Sequence, residues 1–462
     1  MSAPTLWQGY QVAAATRGLE TSTHDWHASG FSLDTRTLKP GEIFVAIEAE
    51  RDGHDFVPQA FKAGAVAALV SRPLDQGLGP QIVVKQTLTA LEALAAAARD
   101  RNFGTLIAVT GSAGKTTTKE MLRHALSPAG QVHAADKSFN NHLGVPLTLA
   151  ALPASAPMGV FEIGMNHAGE IRGLTTLVKP HIAIITTIAA AHLEFLGSME
   201  AIADAKAEIA EGLRRGGFVV LPADSPYLAQ LMTRCREAGV SGLMTFGEAG
   251  RDARLESADV SPDGLMVKAD ILGQPITFRL HAQGLHMASN AVAALLAAGL
   301  AGVDIQDAAG ALEHFRPDKG RGATQDITLG DRTITLIDES YNANPASMRA
   351  SLSVLSSVKG GRKIAVLGDM LELGPDAPTL HADLAAPAAE SADSVFTAGS
   401  LMEHLRAALP EPKRGVHAEN AEELLQVLLD NLKDGDHVLF KGSNASKVGL
   451  LVRSLIAASS GH

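Results

Sequence analysis

The sequence predicts an α/β protein with mostly parallel sheets, divided into three domains. Two observations carry this reading. The chain has 462 residues, room for about three domains at roughly 150 residues each. Short apolar β-like runs alternate with helical segments through most of it, the pattern of parallel sheets covered on both faces.

Residues 28–85 mix the β-like runs GEIFVAIEAE and QIVVK with an Ala-rich helical segment over 56–69. A helix over 88–99 then ends in the polar ARDRNFGT, where the first boundary falls, so the first domain is 1–100. The next stretch reads strand TLIAVT, helix 115–125, strand MGVFEIG, strand HIAIITTI, helix 199–213 and strand FVVLP. From 247 to 279 the pattern shifts to short alternating strands, and 287–300 reads as an Ala-rich helix. Pro, Gly and charge cluster in HFRPDKGRG, which closes a central domain at 101–315. Beyond it TITLID, KIAVLGD, SVFTAG and HVLFKG alternate with helical segments, giving a third α/β domain over 316–462.

Composition narrows the function. At 46% hydrophobic and 19% charged the chain is globular rather than disordered. A net charge of −11 argues against a general nucleic-acid or anionic-membrane surface but leaves room for a local cationic pocket. The single cysteine, Cys235, excludes an internal disulfide and a Cys-rich metal site. No apolar run approaches the ~20 residues of a membrane span, and the start MSAPTLWQGYQVAAATRG lacks the pattern of a secretory signal. A cytoplasmic protein is expected.

The strongest local signal is TLIAVTGSAGKTTTKEML. An apolar strand runs into Gly111, Ser112, Ala113, Gly114, Lys115, Thr116 and Thr117, and a helix follows. Such a P-loop aims backbone N–H groups and a helix N-terminus at a phosphate chain, with Lys115 reaching the terminal phosphates and Thr116 binding Mg²⁺. Val109 stands where the common spacing has its first glycine. The bland reading is a Gly-rich turn with an incidental lysine; the strand before and the helix after decide against it.

Three polar residues interrupt apolar patterning nearby. Glu162 sits near the end of the strand in GVFEIG, and His192 lies just past HIAIITTI. In open α/β sheets the carboxyl ends of strands face the ligand crevice, so this pair suits a second Mg²⁺ beside the P-loop. Lys206 shares a helical stripe with Ile202, Ile209 and Leu213. A free ammonium there is costly unless paired, and the competing reading, that it snorkels to the edge of the stripe, stands level with function.

Longer strings carry a resemblance. They are SLDTRTLKPGEIFVAIEAERDGHDFVPQAFKAGA, TGSAGKTTTKEML, SFNNHLGVPLTL, EIGMNHAGEI, HLEFLGSMEAIADAKAEI, GLHMASNAVAALLAA, the RGAT at Arg321, LIDESYNANPASM and AVLGDMLELG. Over nearly its whole length the chain resembles the Mur ligases, and the last two strings mark the branch that adds a dipeptide. The resemblance implies a UDP-substrate domain, a central ATPase, and a C-terminal Rossmann-like domain that brings D-alanyl-D-alanine and closes over ATP. It implies ATP-dependent ligation of D-alanyl-D-alanine to UDP-N-acetylmuramoyl-tripeptide, whose third residue is a diaminopimelate-type residue or lysine, by a monomeric enzyme of peptidoglycan synthesis.

Residue by residue, it assigns the P-loop to ATP, Lys115 to the terminal phosphates, and Thr116 and Glu162 to one Mg²⁺. His192 and a carbamylated Lys206 match a second metal site. Asn290 matches the nucleotide-base contact; Arg321 and Asp338 engage ATP across the domain cleft, with Tyr341 and Asn342 in the same loop. Asp34, Thr35 and Arg36 match the uridine-diphosphate site, while Asn140, Asn141 and Asn344 fall on the substrate side. Ala113, Ala168 and Asn444 depart from the family pattern, Asn444 replacing an arginine after KGS. Two rivals remain: a folylpolyglutamate-synthase-like ligase, against which the N-terminal DTR segment argues, and a P-loop switch without amide product, which leaves Glu162, His192 and Lys206 unexplained as a group.

Overall fold

The computed structural model describes residues 5–21, 25–261 and 263–459; the first four residues, on which the reading of the N-terminus partly rests, lie outside them. The layering follows from strands with no polar face. In Thr105–Thr110, Leu106 and Ala108 enter one core while Ile107 and Val109 enter another. In Ile182–Ile185, Ala183 and Ile185 join the first, and Ile182 and Ile184 the second. With side chains alternating between faces, such strands need cover on both sides. Helices Lys115–Ala125 and Leu285–Leu300 cover one face through Met121, Leu122, Ala291 and Leu295. Helices Glu170–Val178 and Met199–Ala207 cover the other through Ile171, Leu174 and Ile202.

These strands belong to a nine-stranded sheet. Seven run parallel, in the order Val132–Ala134, Met158–Glu162, Thr105–Thr110, Ile182–Ile185, Phe218–Pro222, Gly242–Gly247 and Ala253–Ser261. Ala253–Ser261, Gly264–Ile271 and Gln274–Leu280 extend the edge as an antiparallel meander.

A five-stranded sheet precedes it, in the order Leu19–Glu20, Gln81–Val83, Ala67–Val70, Glu42–Val45 and Gly30–Ser32, parallel except for the first. Its core is continuous with the central one: Leu91 and Leu94 of helix Thr87–Asp100 share a cluster with Trp7, Val145 and Leu149. A six-stranded sheet follows, in the order Ala323–Leu329, Arg332–Glu339, His437–Lys441, Lys363–Gly368, Ser394–Ala398 and Arg414–Ala418. Its central strands are again two-faced: Ile364 and Val366 pack opposite to Ala365 and Leu367. Among the described residues no helix is long and apolar enough to cross a membrane.

Two helices are shorter than the sequence predicts. The segment 56–69 is helical only over Val57–Lys62; Gly64, at φ +103°, turns the chain, and Ala67–Val70 is a fully buried strand. A four-residue apolar run has no periodicity to separate helix from strand. The helix from Met199 ends at Ala207 and tightens into a 3₁₀ turn over Glu208–Gly212. There the buried Glu208 carboxylate accepts the N–H groups of Gly169 and Arg172, capping the helix opposite, and at Gly212 a Cβ would stand 2.3 Å from the Thr175 backbone.

Candidate active site

Strand ends of two sheets meet around a cavity of about 750 Å³, lined from the central domain by Lys115, Glu162 and His192 and from the third by Arg321, Tyr341 and Asn344. The P-loop reaches it because two glycines permit the turn. Gly111 and Gly114 have φ of +147° and +81°; a Cβ would overlap the Thr186 hydroxyl at the first and stand 2.9 Å from the Asn290 amide at the second. Thr186 Oγ1 donates to Ala113 O at 2.5 Å, and Ser112 Oγ donates to Ala189 O at 2.9 Å, fixing the loop. Gly114 is the N-cap of helix Lys115–Ala125, so the helix dipole points at the same place.

Lys115 curls back and donates Nζ–H to Gly111 O at 2.7 Å. Burial lowers its pKa, opposed by Glu162 and reinforced by Arg321. Lys206 is 1% exposed and makes no hydrogen bond or ion pair among the described residues. Burial and then Lys115 push its pKa well below the ordinary lysine value. Burial alone excludes snorkelling. Lys206 lies beneath the cavity rather than in its lining. Lys115, Arg321 and Lys441 line the cavity beside Glu162, Glu170, Asp224 and Glu339, so basic groups for a polyphosphate stand next to carboxylates that suit its cations.

The carboxylate at the centre is fully engaged. Glu162, 4% exposed, accepts from Thr116 Oγ1 at 2.8 Å and from Ser138 Oγ and Asn140 Nδ2 at 2.7 Å each. Thr116 and Glu162 therefore present hard oxygens side by side, a donor set that fits Mg²⁺. No three His, Cys, Asp or Glu side chains form a cage among the described residues; Mg²⁺ commonly takes one or two carboxylates and completes its shell with phosphates and water. His192 lines the cavity at φ +59°, with Nδ1 2.6 Å from Glu372 Oε2 in a contact off the direction of a hydrogen bond.

The third domain delivers its residues through one braced loop. Asp338 accepts Gly320 N–H at 2.8 Å and both N–H and O–H of Ser340, outside the cavity lining. That holds Arg321, whose guanidinium lies 3.7 Å from the centre of the Tyr341 ring. Asn342 lines the cavity, and its carbonyl accepts the Lys441 ammonium at 3.0 Å. Asn344 caps helix Pro345–Ser357 through Oδ1 and aims Nδ2 at Ser112 O, 3.5 Å away on the P-loop. Asn290 and Asn141 also line the cavity.

Asp34, Thr35 and Arg36 stand apart from this cavity, in the first domain after strand Gly30–Ser32. Arg36 closes a bidentate pair on Asp34, and its hydrogen bonds pull the Asp34 pKa down to about 2. Sequence reasoning missed Ser138, Thr186, Lys441 and Glu372. Lys441 carried the signal that found Glu162, a charged residue ending an apolar strand; Thr186 and Glu372 carried none.

The central segment 109–298 matches the Mur ligase middle domain, and 326–444 the Mur ligase, glutamate ligase domain. The chain belongs to the Mur ligase family. Curated relatives that match over almost their full length include UDP-N-acetylmuramoyl-tripeptide–D-alanyl-D-alanine ligases. That of Bacillus subtilis is 37% identical, with 92% of this chain and 93% of the relative covered. That of Escherichia coli is 34% identical over the same shares of 92% and 93%. Among solved structures, MurF from Acinetobacter baumannii superposes with a TM-score of 0.85 at 31% identity, covering 98% of this chain and 99% of that one. MurF ligase from Thermotoga maritima in complex with ADP gives 0.78 at 25% identity, covering 93% and 98%. A Mycobacterium tuberculosis folylpolyglutamate synthase shares the fold at 18% identity over 80% of this chain and 94% of that one, with a TM-score of 0.62.

Proposed function

We propose that this cavity joins D-alanyl-D-alanine to UDP-N-acetylmuramoyl-tripeptide at the expense of ATP, yielding the UDP-linked pentapeptide, ADP and phosphate. The observation that carries the reading is the meeting of a P-loop and its Glu162–Thr116 corner with Arg321 and Asn344 of the third domain in one cavity, in a chain whose full-length relatives bear that activity in their names. In this reading residues 1–100 hold the UDP moiety through Asp34, Thr35 and Arg36, 101–315 hold ATP, and 316–462 bring the dipeptide and close. The enzyme acts as a cytoplasmic monomer, where ATP and the UDP-linked precursor are found.

Condensing a carboxylate with an amine in water is uphill, so the acid is activated first. A carboxylate oxygen of the tripeptide attacks the γ-phosphorus, the bond to the β-phosphate oxygen breaks, and ADP leaves an acyl phosphate. The dipeptide amine then attacks the acyl carbon, loses a proton, and expels inorganic phosphate. This transfer depends on positioning and charge neutralisation. The P-loop amides cradle the phosphates, and Lys115 exchanges Gly111 O for the terminal phosphate. Arg321 leaves the Tyr341 ring to meet the same charge, and Asn290 holds the base. Docking of the third domain keeps water from the acyl phosphate.

Thr116 and Glu162 would hold one Mg²⁺, and His192 with a carbamylated Lys206 a second; bound there, the ions neutralise phosphate charge. Ser138 and Asn140 orient Glu162 for that task. The Lys206 assignment is supported by its burial without a partner: a neutral amine is the form that adds CO₂, and the carbamate is an anion suited to a metal.

The test is ATP-dependent phosphate release with UDP-N-acetylmuramoyl-tripeptide and a panel of amines, with mass spectrometry of the product. D-alanyl-D-alanine should be used far better than any single amino acid. A product carrying one added residue, with the dipeptide inert, would overturn the substrate assignment.

A further inference from the structure

Glu372 belongs to the third domain, yet its carboxylate reaches the corner of the cavity where His192 stands. Both residues hold left-handed backbone, at φ +62° and +59°, a conformation that strains a non-glycine residue and persists only where surroundings impose it. The surroundings are visible. His381, fully buried, accepts Met370 N–H through Nε2 at 3.0 Å and contacts Ala377 O through Nδ1 at 2.6 Å. Ser443 Oγ accepts Leu371 N–H at 3.0 Å. On the far side Glu372 O accepts Glu194 N–H at 3.1 Å, two residues beyond His192. At Gly374 a Cβ would stand 3.3 Å from Glu194 Cα, so the two loops touch backbone to backbone. The loop 369–374 is thus anchored in its own domain and pressed against the turn that carries the imidazole.

We propose that Glu372 is a positioning residue that acts through His192: docking of the third domain brings its carboxylate to Nδ1, which leaves Nε2 as the nitrogen free to bind a cation. A carboxylate behind a metal-binding histidine commonly sets ring orientation and tautomer, and losing it typically weakens metal binding 10–100-fold. Here the carboxylate comes from another domain, so the second cation corner is complete only when the third domain is docked. This inference rests on the ligase reading of the cavity for the role of His192.

The test counts Mn²⁺ bound to the full-length protein with a non-hydrolysable ATP analogue, by electron paramagnetic resonance, which needs neither acceptor nor dipeptide. Wild type should bind two ions. Glu372→Ala should weaken one of them roughly 10-fold or more, leave the other and the analogue's affinity unchanged, and keep the wild-type melting temperature within a few degrees. Glu372→Gln, which keeps an oxygen for Nδ1 but loses the charge, should fall between the two. A merely structural role would shift the melting temperature without this gradation. Two ions bound with unaltered affinity in Glu372→Ala, or a single ion in wild type, would overturn the proposal. Failure of the amide-forming assay with the Mn²⁺ pattern intact would instead count against the substrate reading alone.

Discussion

At the scale of single residues, Lys206 stands out in the site as a group desolvated without a hydrogen-bond partner among the described residues. Its pKa is depressed by burial first, so between the lowered and the ordinary lysine value the unfolded chain binds more protons than the folded one. By linkage, the CO₂-stripped protein should therefore gain stability as pH rises toward the ordinary lysine value and lose it below; melting curves across that range check the sign. Lys206→Ala should abolish most turnover and spare the fold, and Lys206→Arg should not restore it, since arginine keeps its charge and forms no comparable carbamate. Bicarbonate should revive stripped wild type but neither variant. Near-normal activity in Lys206→Arg would remove the carbamate from the mechanism. The Glu162 cluster gives a second prediction. Asn140→Ala takes one of three donors from that carboxylate, so the Mg²⁺ concentration for half-maximal rate should rise roughly 10-fold. An unchanged Mg²⁺ requirement would place Asn140 on the substrate instead.

At the scale of elements, two helix N-termini do the positioning. Gly114→Ala puts a Cβ on left-handed backbone and against Asn290. Binding of an ATP analogue, followed by calorimetry, should be lost while the protein stays folded. At the other terminus Asn344 has two tasks that substitution can separate. Asn344→Ala removes the cap of Pro345–Ser357 and should cost about 1 kcal/mol, read from denaturant midpoints. Asn344→Asp keeps the cap but replaces the amide that faces Ser112 O with a carboxylate. It should regain stability and still turn over poorly; full activity would confine Asn344 to its capping role. These elements were largely legible beforehand. Lys115–Ala125 begins and ends where the residues said it would, because Gly114 before it and its apolar stripe are local signals. The helix over 56–69 was not, because Ala67–Val70 is strand only by virtue of the strands on either side of it.

For the whole molecule, the cavity depends on the third domain lying against the central one. Asn344 crosses that cleft to the P-loop, and Arg321, stacked on Tyr341 of its own domain, lines the shared cavity. An ATP analogue should therefore compact the protein in small-angle X-ray scattering, and Arg321→Ala should depress turnover far more than binding of the UDP substrate, which is assigned to the first domain. Equal losses in both would end that division of labour. The sequence by itself determined the alternating α/β order, the P-loop and the charged residues that break apolar strands, because each is a pattern within about twenty neighbouring positions. Only the tertiary structure decided that Ser138 and Asn140 serve Glu162, that Asn344 touches the P-loop, and that Glu372 reaches His192. The last two pairs lie 232 and 180 residues apart in the chain. Such partners are chosen by how two-faced sheets pack, and no local pattern of side chains records that choice.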